Sequence, residues 1–366
     1  MSGAVRTGER ARHTVPMNSL RSAPTLDEVA QTAGVSRSTA SRAINGGLRV
    51  LPEAQAAVDA AVAQLGYTPN RAARSLVTRR TDSIALVVPE PDERILTDPF
   101  LAGTMRGVSA ALGGTDLQLV LLFARPDEQP GRIVRYLSSG HVDGAIVASH
   151  HRDDDLEEAL LAARLPAVFV GRPFHPTPDL LYVDVDNVEG GRLAARRLVE
   201  AGRRRIATIA GPQDMTAGVD RLTGFREVLR DAGLPDDAVE IGDFAVAGGA
   251  AAMERLLAGH PDLDGLFVAS DLMAEGALRV LAAHGRDVPR DVSVVGFDNL
   301  ATAATTSPPL TTVQNPMVEM VRGATDLLLD LVGGRGDEIA SQVLAPELVE
   351  RDSVCPPRRP RRGAAA

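Results

Sequence analysis

The sequence contains no lysine; all 39 of its basic residues are arginine. A Walker A phosphate loop needs its lysine, and so does an enzyme working through a Schiff base, so both are excluded. The single cysteine, Cys355, lies in a Pro/Arg-rich tail. One thiol can form neither an intrachain disulfide nor a multi-cysteine metal site. No apolar run is long enough to span a bilayer, so no membrane association is expected. The first twenty residues carry Arg6, Arg10, Arg12 and His13 but no apolar stretch, and do not read as a secretory signal. The expected location is therefore the cytoplasm. No glycine-rich dinucleotide fingerprint follows the apolar run Ser83–Val88, and no nucleophile elbow is present. The expectation is a protein that is not an enzyme and needs no cofactor.

What is present is a strong asymmetry of charge. The 366 residues suffice for two or three domains. The net charge of −9 divides into +6 over residues 1–80, with 11 Arg and 5 acids, and −15 over the remainder. A basic head on an acidic body suits a small nucleic-acid module joined to something that repels DNA.

Within the head, residues 25–45 read as two short helices joined by a tight turn. Thr25 can cap the first, with Glu28 as its capping-box partner. Leu26, Val29 and Ala30 form an apolar stripe at helical spacing, and Gly34 can take the positive φ that ends the helix. Ser36 caps the second helix, whose inward face is Ala40, Ala43 and Ile44. Its outward face carries Arg37, Ser38, Thr39, Ser41, Arg42 and Asn45. Small polar side chains let a helix approach phosphates closely, so the pair reads as a helix-turn-helix whose second helix enters a DNA major groove. Pro52 opens a third helix ending at Gly66, with Val58, Ala61, Val62 and Leu65 facing the small core.

From Ser83 onward, short β-branched runs alternate with amphipathic stretches. The runs are Ser83–Val88, Leu117–Phe123, Asp143–Ala148, Pro166–Val170, Leu181–Val185, Arg205–Ala210, Asp264–Ala269 and Val292–Phe297. Nearly all-apolar strands alternating with helices imply parallel sheets covered on both faces, and eight or more strands fit two doubly wound lobes better than one. Ligands in such folds bind beyond the carboxyl ends of the strands. His150-His151 with Asp153–Asp155 follow a strand, but no distant Cys or His has matching spacing. They read as a solvated loop at a cleft mouth, and no metal is expected.

These features together resemble the lac repressor family of bacterial transcriptional regulators, from about Thr25 to Arg351. The most specific stretch is Val35 to Asn45, followed by Leu65-Gly66-Tyr67-Thr68-Pro69-Asn70 and Ala73-Arg74-Ser75-Leu76. Further marks are Asp98-Pro99-Phe100, Asp186-Asn187 with Gly190-Gly191, Arg221 with Gly224-Phe225, Val294 to Asp298, and Leu310 to Val313. The resemblance implies an all-α helix-turn-helix head plus an α/β, two-lobed, periplasmic-binding-protein-like body with two doubly wound parallel sheets. The expected boundaries are a disordered extension 1–23, the head 24–69, a hinge helix and linker 70–82, the body 83–351 and a disordered basic tail 352–366. Within the body, one lobe takes about 83–184 with 312–342, and the other about 185–311 with 343–351.

The resemblance also implies a homodimer on a palindromic operator. Arg37, Ser38 and Arg42 would read bases, where a bidentate arginine–guanine contact is worth about 1–3 kcal/mol. Thr39, Ser41 and Asn45 would meet phosphates, Tyr67 and Asn70 would support the backbone grip, and Thr25, Ser36 and Ala73 complete the interface. Leu76 would wedge into the minor groove and bend the duplex; it stands alone among polar neighbours. In the body, a small-molecule effector, expected to be a sugar, would lie between the lobes. It would meet Asp98 and Phe100 in the first lobe, Arg221, Phe244 and Asp298 in the second and Asn315 at the final crossover, with Arg172, which follows a strand, and Ser270-Asp271 also at the cleft. Ser270-Asp271 stands where the family often has Asn-Asp, and Asp271 is expected mainly to cap the helix that follows. Carboxylate and guanidinium groups bind hydroxyls by charge-assisted hydrogen bonds, and aromatic rings cover the apolar face of a pyranose. The sign of the response follows from which closure state the ligand favours. The tail lacks a leucine heptad, which points to a dimer rather than a tetramer.

Overall fold

The computed structural model describes residues 24–45, 50–68, 80–90, 92–123, 131–335 and 339–355. The chain forms two compact units that divide at residue 80. The expected extension 1–23, the hinge residues Asn70, Ala73 and Leu76, and residues 356–366 lie outside the described residues.

The first unit holds α1 (Leu26–Thr32), α2 (Arg37–Ile44) and α3 (Pro52–Leu65). The capping box at its start is complete: Glu28 N donates to Thr25 Oγ1 at 3.3 Å, and Thr25 N to Glu28 Oε2 at 2.7 Å. Gly34 and Gly66 take φ of +66° and +63°, which ends α1 and α3 without a Cβ clash. The core is Val29, Ala30, Ala40, Ala43, Val58 and Ala61, with Leu26, Ile44, Val62, Leu65 and Tyr67 packed around it. Its alanines let three short helices meet closely.

The second unit is built on two six-stranded sheets. The first contains β1 (Ser83–Val88), β2 (Gln118–Phe123), β3 (Gly144–Ala148), β4 (Ala167–Val170), β5 (Leu181–Val185) and β11 (Gln342–Leu344). Its order is β11-β5-β4-β3-β1-β2, with every pairing parallel. The second contains β6 (Ile206–Ala210), β7 (Val239–Ile241), β8 (Gly265–Val268), β9 (Ser293–Asp298), β10 (Thr311–Gln314) and β12 (Glu347–Val349). Its order is β12-β10-β9-β8-β6-β7, and only β12 runs antiparallel. Strands buried on both faces, such as β3 and β6, explain the continuous apolar runs of the sequence.

Helices cover both sheets: α4 (Asp92–Thr97), α5 (Pro99–Ala111), α6 (Arg132–Ser138), α7 (Leu156–Ala163) and α12 (Met317–Gly333) on the first lobe, α8 (Asn187–Glu200), α9 (Thr216–Asp231), α10 (Val246–Gly259) and α11 (Asp271–Ala283) on the second. The α8–α9 crossing needs glycine. A Cβ on Gly191 would stand 2.1 Å from the Arg221 carbonyl oxygen, and one on Gly224 would stand 1.9 Å from that of Val188. Two backbones in contact here bring Asn187 and Arg221 within reach of each other.

Three expected boundaries are corrected. Residues 312–314 belong to the second lobe, because β10 pairs with β9 in its sheet. The chain returns to the first lobe only after Asn315-Pro316, where proline ends the ladder. Residues 343 and 344 belong to the first lobe, since β11 pairs with β5. The body also continues past Arg351. Ser353 is fully buried, takes a hydrogen bond from Thr311 N at 2.8 Å and donates to Val294 O at 2.6 Å, and Val354 is buried beside it.

Candidate functional site

The outward face of α2 is polar and open. Ser36 caps the helix by accepting from Thr39 N at 3.1 Å, and its hydroxyl also meets those of Ser38 and Thr39. Arg37, Ser38, Arg42 and Asn45 are exposed. Arg37 lies 3.3 Å from Asp27 of α1, but both side chains are exposed, so water weakens the pair and leaves Arg37 free to move to another anion. Arg42 Nε donates to Ser38 O at 3.2 Å, and Asn45 Nδ2 to Ser41 O at 2.8 Å. These bonds pre-order long side chains along one face. Thr25 sits in the capping box. Tyr67 is half-buried and packs on the head's core.

The second unit has a cleft with about 760 Å³ of empty space, part of it open to solvent. Its walls are residues that follow strands in both sheets, including those after β1 and β3 and after β6 and β8. At these two places the strand order reverses, as the general rule for open α/β sheets requires. Of the expected contacts, Asp98, Phe100, Arg221, Phe244, Ser270, Asp298 and Asn315 line the cleft.

Arg221 is the centre of this wall. It is 5% exposed. Its Nε donates to Asn187 Oδ1 at 2.9 Å and its Nη1 to Ala269 O at 2.6 Å, while Asp298 Oδ1 stands 3.5 Å from Nη1. Asn315 Nδ2 donates to the same carboxylate oxygen at 3.3 Å. Burial pulls the Arg221 guanidinium down and pushes the Asp298 carboxyl up to about 6. Both shifts run in the direction of lost hydration, so the pair's attraction only partly offsets the cost of taking it out of water. Asp298 has φ +107° and Phe244 φ +63°. Backbone strain of this kind collects where a side chain must be aimed. In the first lobe, Asp98 caps α5 through Phe100 N at 2.8 Å, and burial raises its pKa.

Two expected contacts stand elsewhere. Arg172 does not line the cleft; its Nη2 meets both oxygens of Asp220 at 2.9 and 2.7 Å, a tie from one lobe to the other. Asp271 is 1% exposed and also lies off the cleft. Ser270, not Asp271, caps α11, by accepting from Met273 N. Asp271 instead takes hydrogen bonds from Thr312 Oγ1 at 2.7 Å and Leu300 N at 2.8 Å. His150 and His151 are not a solvated loop either: His150 is 5% exposed and His151 is held between carboxylates.

The cleft also includes residues that are not among the expected effector contacts. Arg94, Ser149 and His150 lie in the first lobe, Asp184 and Asn187 at the first crossing, and Met215, Thr216 and Leu272 in the second lobe. Asp184 accepts from Arg172 N and Val185 N, at 3.1 and 2.8 Å, and from Asn187 Nδ2 at 3.1 Å; burial pushes it up to about 6. Ser149, His150 and Asn187 stand one or two residues past a strand, which is the signal that could have found them; Asp184 lies inside β5, and Arg94, Met215, Thr216 and Leu272 carry no such mark.

A helix-turn-helix with Arg37 and Arg42 on its outward face, joined in sequence to two doubly wound lobes with a ligand-sized cleft, is the build of a DNA-binding transcriptional regulator. The family model for bacterial regulatory proteins of the lacI family matches residues 25–70, and that for a periplasmic binding protein-like domain matches residues 195–354. The HTH-type transcriptional regulator CelR of Thermobifida fusca is 49% identical over 336 residues, 91% of this chain and 99% of the relative. The ribose operon repressor of Bacillus subtilis is 31% identical, over 84% of this chain and 91% of its own. Among solved structures, a CelR–cellobiose complex is 47% identical with a TM-score of 0.72, covering 90% of this chain and 99% of that one. The lac repressor dimer bound to operator and the anti-inducer ONPF gives 27% and 0.79, over 92% and 100%. The chain belongs to the lacI family of bacterial transcriptional regulators.

Proposed function

We propose that this protein is a repressor that binds a palindromic operator as a homodimer and is released by a sugar held in the cleft, with cellobiose as the first candidate. The observation that carries the reading is the Arg221–Asp298 pair on the cleft wall. It presents a cation and an acceptor to hydroxyls, with Phe100 and Phe244 lining the same cleft. The CelR–cellobiose complex supports the choice of sugar. Arg37, Ser38 and Arg42 read bases, and Thr39, Ser41 and Asn45 meet phosphates, because these side chains share the outward face of α2. Thr25, Ser36 and Tyr67 set the helix ends and the core on which that face rests. Among the described residues no helix is long and apolar enough to cross a membrane, which fits action in the cytoplasm. No catalytic role is proposed.

The test begins by selecting duplexes from a random library with the full-length protein. Fluorescence anisotropy on the enriched duplex, with cellobiose or ribose added, then reads the response. A palindrome should emerge, and cellobiose should weaken its binding about tenfold or more while ribose does not. Tightening by cellobiose would overturn release in favour of corepression. No enriched sequence would overturn operator recognition, and no response with no thermal shift would overturn cellobiose as the effector.

A further inference from the structure

His151 lies between carboxylates of both lobes. Its Nε2 is 3.1 Å from Glu90 Oε1, in the first lobe, and its Nδ1 is 2.8 Å from Asp214 Oδ2, in the loop between β6 and α9 of the second. An ionised carboxylate only accepts hydrogen bonds, so two such contacts require a hydrogen on each ring nitrogen, and the ring is an imidazolium. Glu90 is 3% exposed. It also accepts from Ser149 Oγ at 2.7 Å and from Arg94 Nη1 at 3.1 Å. Arg94 lines the cleft. A continuous chain of charge therefore runs Asp214–His151–Glu90–Arg94, from the second lobe to the cleft wall of the first. Beside it, Arg152 N donates to Asp214 O at 2.8 Å, Thr216 Oγ1 to Arg172 O at 2.6 Å, and Arg172 pairs with Asp220.

We propose that this chain is a latch: His151 holds the two lobes closed in the absence of effector and, through Glu90, fixes Arg94 on the wall the effector meets. His151 is thus a positioning residue for Arg94, and the latch does not depend on which small molecule the cleft takes. Closure with no ligand bound sets a threshold, because an effector shifts the equilibrium only by its differential affinity for the two states.

The groups facing His151 agree. Glu90, Asp214 and Asp154 are its acidic neighbours, Asp154 through the His151 backbone N–H. Arg94 is the cation shared with Glu90, and His150 is neutral, pushed down to about 4 by burial. Hydrogen bonding to Glu90, followed by that to Asp214, pushes His151 up to about 9 against burial. Opening removes Asp214 from that set. The closed state therefore has the greater hold on the proton, and closure weakens as pH rises through about 9.

The test is an interlobe distance in the full chain without ligand. Spin labels are placed at Ser138→Cys and Ala251→Cys, both exposed, in a Cys355→Ser background, and diluted into unlabelled protein. At about pH 7.5 the wild-type distribution should be dominated by one short distance, and His151→Gln and Asp214→Asn should each raise the longer-distance population about threefold or more. Raising the pH to about 10 should open the wild type but leave His151→Gln unchanged, a dependence that a merely structural role would not produce. Asp214 is half exposed, so its replacement decides the matter should His151→Gln fail to fold. Distributions of folded Asp214→Asn that match the wild type at both pH values would overturn the latch.

Discussion

The guanidinium carbon of Arg221 lies 3.6 Å from the centroid of the Phe297 ring. Stacking on one face and hydrogen bonds at the edge leave the cation a single orientation, toward Asp298 and the cleft. A buried arginine normally needs a carboxylate partner, and removing one costs about 3–5 kcal/mol. Here the ring, the Asn187 amide and the Ala269 carbonyl share that task.

Asp298 is therefore expected to serve the effector more than the fold. Its carboxyl is pushed up to about 6, first by burial, so at neutral pH the ionised form costs stability rather than adding it. Asp298→Asn keeps the shape and tolerates the unusual backbone as well as any residue. Its melting temperature should equal or exceed that of the wild type at pH 7.5, and operator affinity should be unchanged. The effector's influence on that affinity should fall at least about tenfold. A variant that responds normally would place the effector elsewhere.

Arg42 is exposed on α2, where its Nε donates to the Ser38 carbonyl. Arg42→Ala should reduce affinity for the selected operator by about 1–3 kcal/mol, or about 5- to 150-fold, while binding to a random duplex changes little. Anisotropy titrations on both duplexes at several salt concentrations measure this. Equal losses on the two, with a shallower salt slope, would make Arg42 a phosphate contact instead.

Leu51 occupies the N-cap of α3, is 73% exposed and offers no side-chain acceptor to the first turn. Serine there would satisfy an amide that the leucine cannot. Leu51→Ser should stabilise α3 by about 1 kcal/mol, a roughly fivefold gain in hydrogen-exchange protection of residues 52–65 in the full chain. Unchanged protection would show that exchange of α3 is set by the opening of the whole head.

The sequence discloses those parts of the fold whose signal is local. β1 and β5 have the bounds expected from their runs, because burial on both faces favours apolar residues there; the exception inside β5 is Asp184, whose carboxylate is met by the Arg172 and Val185 amides. β7, β11 and β12 are three-residue edge strands with exposed or half-buried positions, and carry no such run. The helical spacing of Met320, Val321, Ala324, Leu327 and Leu328 in α12 is legible, while its place on the sheet of the first lobe, as expected, comes from the family resemblance rather than from any local signal. In the cleft, Asp98, Phe100, Arg221 and Asp298 carry family marks. Nothing local announces that Arg172 is taken by Asp220, or that His151 meets Glu90 and Asp214, since those partners come from distant stretches of chain.

Asp271 gives the stability a pH dependence with a definite sign. Burial, with Asp298 nearby, pushes its carboxyl up to about 8 from the ordinary 3.8. The folded protein keeps a proton that the unfolded chain releases, so stability falls as pH rises from about 4 to about 8 and levels off above that. His151, pushed up to about 9, adds a loss of the same sign between its ordinary 6.5 and that value, so the wild-type slope alone does not identify Asp271. A comparison with Asp271→Asn does. The amide oxygen can accept from Leu300 N as the carboxylate does, and its NH₂ can donate to Thr312, whose hydroxyl reverses its role. Between about pH 6 and about pH 8.5 the variant should lose less stability than the wild type, by on the order of 1–3 kcal/mol. The chain has no tryptophan, so urea unfolding is followed by circular dichroism. Parallel pH profiles for the two proteins would show that Asp271 is already ionised in the fold, with its two hydrogen bonds outweighing burial.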